Sequence, residues 1–213
     1  MTELEIKIKE AQDAYYKDSK PIMSDMEFDE LWDQLKREQP DSELLNAVGD
    51  DHIDGFKKVD HTMIMGSQNK ANSVEEMDAW LLSNQKAIEM DGAIGQYKMD
   101  GISLELTYTD GKYTRAVTRG DGKTGDDITD NVAKMQGVVK QLKVPYTGTI
   151  RGEIVLSRAN FMAYFADTYA NCRNTASGIS KRLDGSDCDK LNVVVYDAQY
   201  LDKSKTFGTQ RAL

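Results

Sequence analysis

Ile102-Ser103-Leu104-Glu105-Leu106-Thr107-Tyr108-Thr109-Asp110-Gly111-Lys112-Tyr113 is the stretch whose reading decides the fold. Apolar Ile102, Leu104, Leu106 and Tyr108 alternate with Ser103, Glu105 and Thr107, the period of a strand with one buried face. The period of two is first seen at Ile94. Asp110-Gly111 is the dipeptide of a tight hairpin turn, and Tyr113 to Thr118 reads as the return strand. Further strands are expected at Gly148–Leu156 and Leu191–Tyr196, with a helix from Arg158 to Tyr169 behind a Ser157 cap. Strands, hairpin and helices in this order predict an α+β fold with antiparallel pairing, not a doubly wound sheet.

Upstream the period is helical. Leu4, Ile8, Ala11 and Tyr15 form one stripe of an amphipathic helix. Ser24 with Glu27 is a capping-box pattern, followed by Phe28, Leu31, Trp32 and Leu35 on one face, and Pro40 stops the helix. Residues 1 to 45 therefore predict a helical hairpin. Gly49 to Asp60 reads as a linker. Ser73 with Glu76 is a second capping pattern, opening a short helix that carries Met77, Trp80 and Leu81.

The chain has 213 residues, 39% of them hydrophobic and 30% charged, with a formal net charge of −9. That balance argues against tight nucleic-acid binding by this chain alone, because phosphate neutralisation needs clustered Lys and Arg. Cys172 and Cys188 are its two cysteines, without a Cys-x-x-Cys pair, so a structural zinc site is not expected. Two such cysteines fit reduced thiols in a cytosol. The charged start, Met1-Thr2-Glu3-Leu4-Glu5, is not a signal peptide, and no apolar run is long enough to span a membrane. The expected location is the cytoplasm.

Four clusters are able to carry chemistry. Lys98-Met99-Asp100-Gly101 sets an amine two residues from a carboxylate, side chains that an extended chain projects to one side. A lysine amine becomes a nucleophile when burial or a neighbouring cation lowers its ordinary pKa of about 10.4. The bland alternative is a surface ion pair. Arg119-Gly120-Asp121-Gly122-Lys123-Thr124-Gly125-Asp126-Asp127 is glycine-rich and suits close approach of a nucleotide to backbone N–H groups, or else a long solvated turn. It lacks the spacing of a Walker loop. Arg151-Gly152-Glu153 puts two charges on one face of an apolar strand, as a pocket or as a structural pair. Asn171-Cys172-Arg173-Asn174, with Lys181-Arg182-Leu183-Asp184 beyond it, is a basic stretch that suits phosphates or a solvated helix face.

In order and spacing these clusters resemble the NAD-dependent DNA ligases of bacteria and their phages, over nearly the whole chain. Ala14-Tyr15-Tyr16 and Pro21 to Asp29 look like the helical module that captures the nicotinamide mononucleotide half of NAD. His61-Thr62-Met63-Ile64-Met65-Gly66-Ser67 is similar to the segment leading into the adenylation domain. Lys98-Met99-Asp100-Gly101 matches the adenylated-lysine motif. Thr118 to Gly122, Arg151-Gly152-Glu153, Asn171 to Asn174 and Leu191 to Asp197 match the motifs that follow.

The resemblance implies a helical module over residues 1–55 and a nucleotidyltransferase adenylation domain over 56–213, lacking its C-terminal motifs. It implies Lys98 as nucleophile with Asp100 beside it. Tyr15, Tyr16, Asp25, Phe28 and Asp29 would face the leaving half. Ser67, Gln68, Gln96, Arg119, Glu153, Arg173 and Lys181 would face the rest of the NAD, Glu153 on the ribose side. Lys98 would attack the α-phosphorus of NAD and release nicotinamide mononucleotide. AMP would then pass to the 5′-phosphate of a nick in duplex DNA, as in replication or repair. Mg²⁺ at the phosphates is implied, with no residue of this chain assigned as its ligand.

The chain departs from the family pattern in several places. Gln96 stands where a glutamate usually contacts adenine. Tyr16 replaces a histidine and Phe28 a tyrosine of the helical module. Lys181 replaces an arginine, a point charge in place of a fork. The chain also stops at Leu213, before the further lysine-bearing strands, the oligonucleotide-binding barrel, the zinc module and the helix-hairpin-helix repeats. Two explanations are open: the A subunit of a split ligase, completed by a second chain, or else a fragment or decayed copy. The rival functions are a non-catalytic NAD-binding or ligase-interacting module, and an ATP- or GTP-dependent nucleotidyltransferase.

Overall fold

The computed structural model describes residues 1–16, 22–46, 55–66 and 69–205. Helix α1 (Glu3–Tyr16) and helix α2 (Asp25–Glu38) form the expected hairpin, with Ile8, Ala11, Ala14 and Leu35 buried. The Ser24–Glu27 capping box is complete. Ser24 Oγ accepts from the Glu27 N–H at 3.3 Å, and Glu27 Oε2 accepts from the Ser24 N–H at 2.8 Å. Two of the four N–H groups orphaned at a helix start are thereby satisfied. Gln39 caps the other end, directly before Pro40.

The expected linker ends in structure. Strand β1 (Lys58–Asp60) pairs antiparallel with a second short strand farther along the chain; residues 49–54 of that linker lie outside the described set. The chain then divides into two compact units, residues 1–65 with 100–213, and residues 66–99. The smaller unit holds α3 (Val74–Ser83) and α4 (Gln85–Asp91), neither with a buried residue. Ser73 Oγ accepts from the Glu76 N–H at 3.2 Å, but Glu76 accepts from Asn72 N–H at 2.6 Å, so the reciprocal arm closes one residue early. Met77, Trp80 and Leu81 are exposed.

The period of two at Ile94 does not make a strand. Residues 92–100 have no regular structure, Gly92 sits at φ +80°, and Ile94 and Tyr97 are exposed. Alternation becomes a strand only where a neighbouring backbone takes up its hydrogen bonds. That begins at Ile102.

The larger unit is built on one antiparallel sheet. Strand β2 (Ile102–Thr109) and β3 (Lys112–Thr118) form the predicted hairpin, with Asp110 at φ 51° and Gly111 at φ 76° in the turn. Both positive values suit the right-handed twist of the flanking strands. Strand β4 (Thr124–Asp126) is the partner of β1, and a short helix α5 (Thr129–Val132) follows. Next come β5 (Gly148–Val155), α6 (Arg158–Tyr164), α7 (Cys172–Ser180) and β6 (Asn192–Tyr200). The sheet order is β3-β2-β5-β6, every pairing antiparallel. The α+β expectation holds.

Helix α6 is shorter than the predicted span to Tyr169. Phe165, with φ −137°, caps it and turns a ring that is 7% exposed into the core. One sheet face builds that core from Leu104, Leu106 and Ile154, closed by Ile128, Val132, Ile179 and Leu191 from the connections. Cys188 lies there too, and burial pushes its thiol up to about 11. It is a packing residue.

Gly101, the last residue of the lysine motif, meets β5 so closely that a Cβ would stand 2.1 Å from the Ile154 carbonyl oxygen. Backbone cannot yield there as a flexible side chain would. Gly101→Ala is expected to lower stability by at least about 1–3 kcal/mol, the range for overpacking, as read by urea denaturation.

Candidate active site

The opposite face of the sheet is polar and largely sealed. Ser103 and Glu105 of β2 lie in register with Glu153 and Arg151 of β5, so the four project to one side. Arg151 and Glu153 do share a face, as their spacing predicts, and each takes its own partner. Glu153, 8% exposed, accepts from Ser103 Oγ at 2.8 Å. Arg151 reaches the Ile64 carbonyl and stands 3.8 Å from Asp197. Gly152 faces the core side, where a Cβ would stand 3.0 Å from the Val194 carbonyl oxygen. Beside them on β6, burial pushes the Tyr196 phenol upward, and the Glu153 charge pushes the same way.

Helix α7 carries the basic stretch. Its cap Asn171 accepts from the Asn174 N–H at 2.8 Å. A solvated helix face is not what forms. Asn174, Thr175, Ala176, Ile179 and Ser180 are buried, and Lys181, 5% exposed, sits at the C-terminal cap, where the carbonyl ends of the helix favour a cation. Arg173 pairs with Asp100 at 2.9 Å and lies over the Tyr15 ring, 4.9 Å from its centroid. Three stretches distant in sequence meet at this guanidinium. The Asp100 side chain is 76% exposed and that of Arg173 24%. Such a pair contributes about 0–1 kcal/mol to stability, so Arg173 can change partners at little cost.

The glycine-rich segment is not a solvated turn either. Gly120, Gly122, Gly125 and Asp126 are buried, and Gly120 and Gly122 have φ of 57° and 90°. Asp121 Oδ1 accepts from the N–H groups of Lys123 at 2.9 Å and Thr124 at 2.8 Å, closing the loop on itself. Met65 N–H donates to the Gly122 carbonyl and His61 N–H to that of Lys123, both at 2.9 Å. The segment at 61–65 is thereby sewn to the loop.

A third polar group escaped the sequence reading. Glu105, placed by alternation on a solvent-facing side, is 0% exposed. Its carboxylate accepts from the N–H groups of Thr62 at 3.4 Å and Met63 at 3.3 Å. His61 Nδ1 stands 3.4 Å away and Arg115 3.7 Å. Burial pushes the Glu105 carboxyl up, but the His61 ring and the two N–H groups outweigh it, and its pKa lies below the ordinary 4.5. The one sequence signal was an acidic residue in a strand whose return strand carries Arg115.

Gln96 and Lys98 belong to the smaller unit, on exposed irregular backbone, whereas Asp100 opens the larger one. Phe28 stacks on Trp32 at 5.7 Å along α2, with Asp29 half-buried next to it. Ser67 and Gln68 fall outside the described residues, as do the side chains of Tyr16 and Asp25. Among the described residues no group of three or more His, Cys, Asp or Glu could hold a metal ion. No helix there is long and apolar enough to cross a membrane.

A family model described as the NAD-dependent DNA ligase adenylation domain matches residues 53–213. A DNA ligase of Treponema denticola is 45% identical over 205 residues, covering 92% of this chain and 31% of that protein. A DNA ligase of Treponema pallidum is 41% identical, with coverages of 92% and 24%. One of Borrelia turicatae is 31% identical, with coverages of 91% and 33%. The chain thus spans a third or less of these relatives.

Two measurements check the electrostatics of the site. A double-mutant cycle on Asp100→Asn and Arg173→Gln is expected to give a coupling of at most about 1 kcal/mol in stability. Because the Glu105 pKa is lowered on folding, its stabilisation is complete above the ordinary 4.5 and is lost as pH falls through the folded value. Glu105→Gln should therefore cost about 1–3 kcal/mol near neutral pH, with the gap to the parent closing in acid, as followed by urea denaturation across pH.

Proposed function

We propose that this chain, which belongs to the NAD-dependent DNA ligase adenylation domain family, takes the adenylyl group of NAD onto Lys98. The Lys98 amine attacks the α-phosphorus, a P–N bond forms, and the P–O bond to nicotinamide mononucleotide breaks. The mononucleotide leaves as its phosphate, and the amine proton passes to solvent. The observation that supports this most is the meeting at Arg173 of Asp100 from the lysine motif and Tyr15 from the helical module. A guanidinium placed there suits a pyrophosphate lying between an adenosine half and a leaving half.

Around that cation the proposed roles follow from chemistry. Asp100 holds Arg173 until phosphate arrives. Glu153, buried and already accepting from Ser103, is an acceptor for ribose hydroxyls. Arg119 and Lys181 add positive charge. Gln96 offers an amide to adenine, with Ser67 and Gln68 nearby in sequence. Tyr15, Tyr16, Asp25, Phe28 and Asp29 of residues 1–55 receive the mononucleotide, and residues 56–213 form the adenylation domain. An Mg²⁺ would ride on substrate phosphates, since that ion keeps several waters and binds few side chains. When bound it would neutralise phosphate charge.

The second half of the proposal is transfer of AMP to the 5′-phosphate of nicked duplex DNA. A net charge of −9 supports a grip on DNA supplied largely from outside these residues. The relatives are three to four times as long, and we assign the remaining adenylation motifs and the DNA-binding parts to residues outside these 213, in a continuation of this chain or in a second subunit.

The test is intact-mass and peptide mapping after incubation with NAD, with and without a chain carrying those remaining parts. One acid-labile AMP on Lys98, abolished by Lys98→Ala, is the expected result. No adduct under either condition overturns the proposal. An adduct formed from ATP or GTP and not from NAD assigns the chain to the triphosphate-dependent nucleotidyltransferases. A Lys98→Ala chain that supports ligation as well as the parent assigns it a non-catalytic role.

A further inference from the structure

Glu105 touches none of the residues given a role above, yet its contacts lead to one of them. Its carboxylate accepts from the Thr62 and Met63 N–H groups, with the Arg115 guanidinium at 3.7 Å and the His61 ring at 3.4 Å. The His61 Nε2 lies 3.0 Å from the Arg119 carbonyl oxygen. A carbonyl only accepts, so Nε2 is the donor; Nδ1 stands 3.4 Å from Glu105 without a hydrogen bond, and it donates there only when the ring carries both protons. The ring is thus a strut between a carboxylate on β2 and the first residue of the glycine-rich loop. The backbone bonds of His61 to Lys123 and of Met65 to Gly122 run beside it.

We propose that Glu105 is a positioning residue for nucleotide capture: it holds the 61–65 segment on the sheet and, through His61, sets the Arg119 loop at the height that meets NAD. The proposal rests on the NAD reading for its consequence, though not for its geometry. The loop closes on itself through Asp121 and is tied to β2 by the Arg119 N–H on the Ser103 carbonyl at 3.1 Å, and the 61–65 segment supplies three more ties. Those three ties run through 61–65, which is held by the Glu105 carboxylate, by Arg151 on the Ile64 carbonyl, by the Thr149 hydroxyl on Met63 Sδ and by the buried Met63 and Met65 side chains. Glu105→Gln is a sharp perturbation, since its amide NH2 would face donors on every side.

The experiment joins amide hydrogen exchange with single-turnover adenylation by NAD. In Glu105→Gln, exchange at residues 61–65 and 119–124 should quicken while β5 and β6 keep their protection. The KM for NAD should rise about tenfold with kcat little changed, the signature of lost ground-state positioning. His61→Leu, which keeps bulk and removes the strut, should show the same pattern, and it carries the test if Glu105→Gln does not fold. Unchanged KM with normal exchange in the loop overturns the proposal, and so does protection lost across the whole sheet, which marks a merely structural role. If the parent takes no AMP from NAD, the functional reading falls, and the exchange data alone decide whether the clamp exists.

Discussion

A carboxylate shut away from water must be met by donors, and the way the chain meets that demand at Glu105 organises one face of its sheet. Left alone, such a group would cost several kcal/mol. Here two backbone N–H groups, an arginine and a histidine converge on it from β3 and from the segment after β1. The hydrogen bonds are long, at 3.3 and 3.4 Å, so the attraction is spread over four partners rather than concentrated in one. The result is a polypeptide strap across β2 that a purely apolar contact would have left free to slide.

That strap divides the polar face into two parts with different uses. Beside Glu105 the charges lie close to one another, although His61 Nδ1, Arg115 Nε and Arg151 Nε make no hydrogen bond. Nearer the start of β2, Ser103 and Glu153 form a part-buried pair, Tyr196 lies beside it, and Arg173 closes on exposed Asp100. The first part suits rigidity. The second suits exchange of protein partners for a ligand's hydroxyls and phosphates, because an exposed ion pair is nearly neutral in free energy. Stability and recognition occupy adjacent stretches of the same two strands.

Legibility differed by element for physical reasons. The β2–β3 hairpin was plain, since alternation and an Asp-Gly turn are local properties of neighbouring residues. So were α1, α2 and the Ser24 cap, whose bonds span three residues. Strand β1 was hidden because three residues carry no period, and it exists only where β4 supplies its partner. The run from Ile94 carried the period and lacked a ladder. Whether the α7 stretch with Lys181 faced phosphates or solvent stayed open, since charge in sequence says nothing of what packs over it.

By itself, then, the sequence determined the antiparallel α+β plan, the helical hairpin and the ordered motifs, all of them set by local period or by type and spacing of residues. Only the tertiary structure decided that Arg173 stands over Tyr15 and against Asp100, that Glu153 answers Ser103, and that Glu105 is buried. Those outcomes join residues between about forty and one hundred and sixty positions apart in the chain. Sheet pairing sets such distances, and no local pattern encodes them.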